Sequence, residues 1–293
     1  MQAAIQFQVY LETEKRYSRH TLLAYEEDLL QFLTFAELDK DDQLREVNFQ
    51  LVRGWIVDLM EKGQSSRTVS RKISCLRSFF KWLLNEGKIE QNPMLRIRGP
   101  KVEKRLTQFM KESEISDVRI EQLFKANFEG VRDRLMFELF YQTGIRLSEL
   151  IGLQVKNVSS DSIKVLGKRN KERIIPIGKS LFEIIQAYQK LKPEGPDSQF
   201  ILFVNKDGRK LSPKFVYRKI NTYLGSVTNL QKKSPHIMRH TFATHMLNNG
   251  AGLETLKELL GHANLSATQI YTHNSFAQIN SIYSHAHPRG RKK

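Results

Sequence analysis

A single cysteine, Cys75, in 293 residues excludes an intramolecular disulfide and any cysteine-rich metal centre. No apolar run reaches membrane-spanning length, and no basic segment followed by an apolar one opens the chain. A cytoplasmic location with no membrane partner is therefore expected. No cluster of aspartates suited to Mg²⁺ is present, and no internal repeat or low-complexity stretch interrupts the sequence. Acid is scarce beside base: 31 Asp+Glu stand against 47 Lys+Arg, a net charge of +16. That imbalance points to a polyanionic partner. The length suffices for two domains with substantial cores, and a 40% hydrophobic content is ordinary for a globular chain.

The excess charge is uneven. Residues 1–100 hold 15 Lys+Arg and 14 Asp+Glu, leaving 47 − 15 = 32 bases and 31 − 14 = 17 acids for the remainder. Electrostatic attraction thus resides in the larger C-terminal part. Within 1–100, helical-period apolar residues mark Ile5–Leu11, Leu22–Phe35, Val52–Met60 and Val69–Leu84. In the last of these, Val69, Ile73, Leu76, Phe80 and Leu84 form one stripe. Arg67, Arg71, Ser74, Arg77, Ser78 and Lys81 share the opposite side, which carries no acid. Arg67, Arg71, Arg77 and Lys81 are the candidate contacts to a polyanion such as DNA. Asn92-Pro93 ends the helical pattern, and a charged stretch centred on Gly99-Pro100 reads as a linker. The expected organisation is a helical domain over 1–95, a linker over 96–106 and a second domain over 107–293.

In that second domain, helices are expected over Ser113–Lys125, Val131–Gln142, Arg146–Leu153, Lys179–Leu191, Pro213–Leu224, Pro235–Asn248 and Leu253–Leu260. Ser162–Leu166 and Arg173–Ile177 read as strands joined by the polar turn 167–172, a hairpin. The fold class is mainly α with a small antiparallel β-sheet.

Chemistry-bearing residues gather in two places. Thr143-Gly-Ile-Arg146-Leu-Ser-Glu149 carries a guanidinium at a helix start, where Glu149 could pair with it. His236 and Arg239 are three apart on a helix and project from one side. Ser234 is expected to cap that helix, with Pro235 at its first position. His262 and Tyr271 follow, after Gly261 closes the next helix. Two arginines suit a tetrahedral phosphate because each planar fork donates parallel hydrogen bonds to its oxygens. Tyr271 adds a phenol able to attack it. His236, His240 and His245 invite a metal reading, but Arg239 sits among them as a repelling cation and no zinc-protease glutamate intervenes. No metal and no cofactor are expected.

Pro235-His-Ile-Met-Arg-His-Thr-Phe-Ala-Thr-His245, Leu259-Leu-Gly-His262 and Ser266-Ala-Thr-Gln-Ile-Tyr271-Thr-His273 resemble the tyrosine recombinase (phage integrase) family, and the Xer-type chromosome-dimer recombinases within it. The closing Ala286-His-Pro-Arg289 resembles the end of those proteins. The likeness spans the chain and is most specific from Thr143 onward.

The resemblance implies an N-terminal helical core-binding (SAM-like) domain and a C-terminal catalytic domain that together clamp DNA. It implies Tyr271 as nucleophile, Arg146 and Arg239 as phosphate clamp, and His236 and His262 as assistants in proton transfer and hydrogen bonding. Gly167-Lys168 matches the family's hairpin lysine, a general acid toward the departing 5′ oxygen, although Arg169 and Lys171 share the turn. Implied partners are a double-stranded DNA recombination site, a homotetramer or a heterotetramer with a second recombinase, and a DNA translocase activator. The terminal helix, Phe276–Ser284, is expected to dock into a neighbouring protomer through Ala277, Ile279, Ile282 and Tyr283. Alternative readings are a mobile-element integrase, a type IB topoisomerase-like enzyme and a non-catalytic DNA-binding protein. Phage-type integrases often carry a further arm-binding domain, whereas this chain starts almost directly with its core-binding helices.

Overall fold

The computed structural model describes residues 1–101, 108–116, 120, 122–167, 172–261 and 273–290, with side chains of the last stretch from 279. The chain divides into two compact units, Met1–Arg105 and Leu106–Lys293. No described helix is long and apolar enough to cross a membrane.

The first unit contains α1 (Gln2–Thr13), α2 (Arg19–Phe35), α3 (Phe49–Glu61) and α4 (Ser66–Asn85). Three of them begin at polar caps. The side chains of Ser18, Asn48 and Ser65 accept from the backbone N–H of Thr21, Leu51 and Thr68, satisfying donors the helix itself leaves unpaired. Phe7, Phe32, Trp55, Phe79 and Phe80 fill the core.

Helix α4 packs against all three others, so a single apolar stripe does not describe it. Val69, Ile73, Leu76 and Phe80 are buried as expected, and Cys75, Phe79, Trp82 and Leu83 join them. Leu84, by contrast, is 39% exposed. The acid-free face is also altered by its surroundings. Asp28 of α2, wholly buried, pairs with Arg71 and with buried Lys72. Arg77 donates to the Ile97 carbonyl at 2.6 Å. Ile97 itself is buried, so the segment read as linker begins packed against α4.

In the second unit, α5 (Phe128–Thr143) is the central helix, buried along nearly its whole length. Its charged residues are internally matched: Arg132 pairs with Asp133, which also receives Lys219 and the Tyr223 hydroxyl. The short α6 (Leu147–Ile151) follows, then β1 (Ser162–Leu166) and β2 (Glu172–Pro176), antiparallel with Val165 opposite Arg173. Next come α7 (Lys179–Leu191), α8 (Pro213–Val227), α9 (Pro235–Asn248), α10 (Leu253–Leu260) and α11 (His273–Ala286). Of the helix expected over Ser113–Lys125, the start lies in a 3₁₀ turn at Glu112–Ile115, Ile120 donates helically to the Ser116 carbonyl, and 117–119 and 121 lie outside the described residues.

Ser234 is the N-cap of α9 and Pro235 its first residue, as expected, but the Ser234 side chain makes no cap hydrogen bond; its carbonyl accepts from Ile237 and Met238. In the single chain Ile279 and Tyr283 of the terminal helix are buried in the core of the second unit, and Ile282 packs against it. Ala277 lies outside the described side chains. The closing motif is anchored too. His287 is fully buried beside Tyr141, and Arg289 pairs with Glu138 and donates to the Ile115 carbonyl at 3.0 Å.

Candidate active site

Gly144 starts the site. It ends α5 in the left-handed conformation (φ 58°), and a Cβ there would lie 2.6 Å from Phe242 and 2.9 Å from Leu260. Only glycine accepts both the dihedral and the approach. The turn delivers Arg146 to the position before α6, one residue outside the expected helix start. Glu149, in the first turn, accepts from the Arg146 backbone N–H at 2.8 Å and from Nη1 at 2.7 Å. The Arg146 side chain keeps 25% of its surface in solvent.

Arg239 reaches the same place from the second turn of α9. Its Nη1 donates to the Gly144 carbonyl and its Nη2 to the Leu260 carbonyl, each at 2.6 Å. Arg146 Nη2 donates to the next carbonyl, that of Gly261, at 2.9 Å. Two guanidiniums separated by almost a hundred residues therefore hang from consecutive peptide units at the end of α10. Each has five N–H donors, and these protein bonds use two apiece.

A third guanidinium lies beneath them. Arg173 on β2 is buried and donates to both oxygens of Glu149, at 2.6 and 2.9 Å, and through Nε to the Leu259 carbonyl at 2.8 Å. Gly261 is left-handed (φ 62°), and a Cβ on it would meet the Arg173 side chain at 3.1 Å. Sequence reading did not single out Arg173. The available signal was alternation: Arg173 and Ile175 share the inward face of β2.

The electrostatics favour an anion. Arg146, Arg173 and Arg239 surround one carboxylate, a local balance of +2 from named groups. Burial, and then the charges of Arg146 and Arg173, lower Arg239 to about 10. It remains a cation at neutral pH, in a place where a negative ligand would relieve the repulsion. Burial alone would raise the Glu149 carboxyl, but hydrogen bonds and charge from Arg173, then Arg146, carry it down to about 2. Glu149 is ionised and is the organising counter-charge.

His236 is exposed in the first turn of α9, one helical turn before Arg239. Burial, then His236 and Arg239, lower the neighbouring His240. His245 is a core residue: Nδ1 meets the Tyr141 hydroxyl at 3.2 Å and Nε2 the Met110 carbonyl at 2.8 Å. Both ring nitrogens are thus engaged, so the tempting histidine triplet is not one ligand set. Among the described residues no group of three His, Cys, Asp or Glu side chains converges on a possible ion position. Of the six expected site residues, the structure brings Arg146 and Arg239 together, with His236 one helical turn before Arg239. Lys168, His262 and Tyr271 lie outside the described residues.

Comparison with known proteins agrees with this architecture. Residues 4–87 match the phage integrase N-terminal SAM-like domain and residues 102–278 match the Phage integrase family. The chain is 38% identical to tyrosine recombinase XerC of Bacillus subtilis (strain 168), covering 98% of this chain and 96% of that protein. It is 40% identical to tyrosine recombinase XerC of Staphylococcus carnosus (strain TM300), covering 98% and 97%. In fold it is similar to the XerH site-specific recombinase bound to palindromic difH substrate, with TM-score 0.72, 19% identity and coverage of 98% and 82%. It is similar also to a lambda integrase dimer bound to a COC′ core site, with TM-score 0.69, 17% identity and coverage of 92% and 98%. Full-length identity at this level, with both parts of the chain matched, shows that the protein belongs to the phage integrase family, as a site-specific tyrosine recombinase of the Xer type and hence a DNA strand-transferase.

Proposed function

We propose that the protein exchanges DNA strands through a 3′-phosphotyrosyl intermediate formed on Tyr271, at a site used to resolve chromosome dimers during segregation. The Tyr271 oxygen attacks the scissile phosphorus, a P–O bond to Tyr271 forms and the bond to the 5′ oxygen breaks. The released 5′-hydroxyl then attacks the phosphotyrosine of a partner strand, so the phosphodiester bond energy is retained. Neither ATP nor a metal is required by this sequence of steps.

The observation that carries the reading is the hanging of Arg146 and Arg239 from the Gly261 and Leu260 carbonyls, over an ionised Glu149. Their remaining N–H groups suit the equatorial oxygens of a pentacoordinate phosphorane, whose extra negative charge matches the local excess of +2. His236 and His262 assist with protons and hydrogen bonds, and Lys168 protonates the leaving 5′ oxygen. Both domains bind duplex DNA, with Arg67, Arg71, Arg77 and Lys81 on the backbone. Four protomers assemble on two sites in the cytoplasm, alone or with a second recombinase, under a DNA translocase.

Two labelled recombination sites incubated with the protein test this. Covalent protein–DNA adducts and Holliday junctions are expected. Adducts without junctions would indicate nicking and rejoining of the type IB topoisomerase kind, and neither product would indicate a DNA-binding protein without catalysis.

A further inference from the structure

We infer that Arg173 is a positioning residue for the phosphate clamp, setting both Arg146 and Arg239 without touching DNA itself. The inference rests on the reading of Arg146 and Arg239 as the phosphate-binding pair.

Three features separate Arg173 from an ordinary buried ion pair. Its guanidinium is only 4% exposed and donates three bonds inward, two to Glu149 and one to Leu259. A cation so enclosed is a poor candidate for a direct phosphate contact. Second, both Glu149 oxygens are shared. Oε1 accepts from Arg173 Nη1 and Arg146 Nη1, and Oε2 from Arg173 Nη2 and the Arg146 backbone N–H. The carboxylate can hold Arg146 in one rotamer only while Arg173 holds the carboxylate. Third, the Nε bond fixes the Leu259 carbonyl, directly before the two carbonyls that receive Arg239 and Arg146. One side chain therefore braces the carboxylate under one clamp arginine and the peptide units supporting both.

Losing Arg173 would leave Glu149 buried with Arg146 as its remaining ion-pair partner, and burial pushes a carboxyl toward its neutral form. A neutral acid holds a guanidinium weakly, so Arg146 would be free to turn. Lysine cannot replace Arg173 here. It keeps the charge but offers neither the planar two-point contact with Glu149 nor the Nε donor. Arg173 also lies on β2, the strand that follows Lys168 in sequence, so the same residue ties that strand to the clamp.

The test is single-turnover cleavage of a nicked suicide substrate at saturating protein, with DNA affinity and melting temperature measured on the same samples. Arg173→Lys is expected to bind DNA as the wild type does but to cleave about 10–100-fold more slowly, the usual scale for a reacting group misplaced by an ångström. In an Arg146→Ala background the same change should cost several-fold less than in the wild type, because the part that acts through Arg146 is already lost while the part through Arg239 remains. Equal factors in both backgrounds, or a folded Arg173→Lys protein cleaving at the wild-type rate, would overturn the inference. Should Arg173→Lys fail to fold, the pair Arg173→Met with Glu149→Gln removes both charges at once. It is expected to fold and to cleave as slowly as Glu149→Gln alone, and wild-type cleavage by it would equally overturn the inference. Arg146→Ala distinguishes the two levels of argument: if it cleaves normally, the clamp itself is wrong. If it is slow while Arg173→Lys is normal, only the role of Arg173 fails.

Discussion

Arg146 and Gly261, separated by 115 positions in sequence, are joined by a 2.9 Å bond from Nη2 to the Gly261 carbonyl. The bond draws the Thr143–Glu149 motif onto the peptide unit directly preceding His262. Two sequence motifs that look independent thus share one support, and disturbing either should be felt at the other.

Arg146→Ala and Arg239→Ala are expected to reduce the cleavage rate about 10²–10³-fold each, the effect of removing one donor from a transition-state charge site. DNA affinity should fall far less, because many other cations contact the backbone. Single-turnover assays beside binding titrations check this. Wild-type cleavage by either variant would exclude the clamp, and strong inhibition of the wild type by EDTA would restore a metal mechanism.

Tyr271→Phe removes one oxygen and keeps the ring. The variant should bind its recombination site with little loss and form no covalent adduct on a suicide substrate, read as a shifted band after denaturation. Adduct at normal yield would locate the nucleophile elsewhere.

For Lys168 the leaving group is the test. An alkoxide departs badly without a proton, whereas a 5′-bridging sulfur leaves as a thiolate, since thiol pKa values lie near 8.5. Lys168→Ala should be severely slow on ordinary DNA and recover largely on the sulfur-substituted strand, while Arg146→Ala recovers much less. Selective rescue of Lys171→Ala would move the acid three residues along the turn.

The basic face of α4 gives a prediction sharpened by Asp28. Lys81→Glu should weaken DNA binding and flatten its logarithmic salt dependence by about 0.9 for each phosphate left without a cation, with no change in melting temperature. Arg71→Glu should lower the melting temperature as well, because it sets a second acid against buried Asp28. If Lys81→Glu changes neither affinity nor salt slope, this face only meets solvent.

Burial lowers His287 from 6.5 to about 3. The unfolded chain therefore takes up a proton between those values that the folded chain refuses. Stability should be full above pH 6.5 and decline as pH falls, with a slope of about 1.4 kcal/mol per pH unit from this group. His287→Gln should remove that part of the slope in denaturant titrations between pH 6.5 and 5. Glu149, held at about 2, loses its stabilising charge only below pH 4.5 and leaves this window clear. An unchanged slope would mean that His287 accepts a proton in the folded state.

The sequence by itself determined the class, the family and most of the elements. Lys179–Leu191, Pro235–Asn248 and Leu253–Leu260 were readable to the residue, because their apolar period, prolines and closing glycines are local signals. The chemical residues were readable by type, since an arginine fork and a phenol announce phosphate chemistry wherever they lie. Tertiary structure decided which of them are supported, and by what. That Leu84 is exposed while Lys72 is buried depends on three neighbouring helices, not on the period of α4. That His245 is a core residue depends on Tyr141 and Met110, far away in sequence. That Arg173, an unremarked strand residue, braces Glu149 depends on β2 passing beneath the end of α10. Local periodicity reports which side of an element is apolar. Which charge a buried carboxylate finds is settled only when distant segments meet, because desolvation and ion pairing act over a few ångströms of space and are blind to distance along the chain.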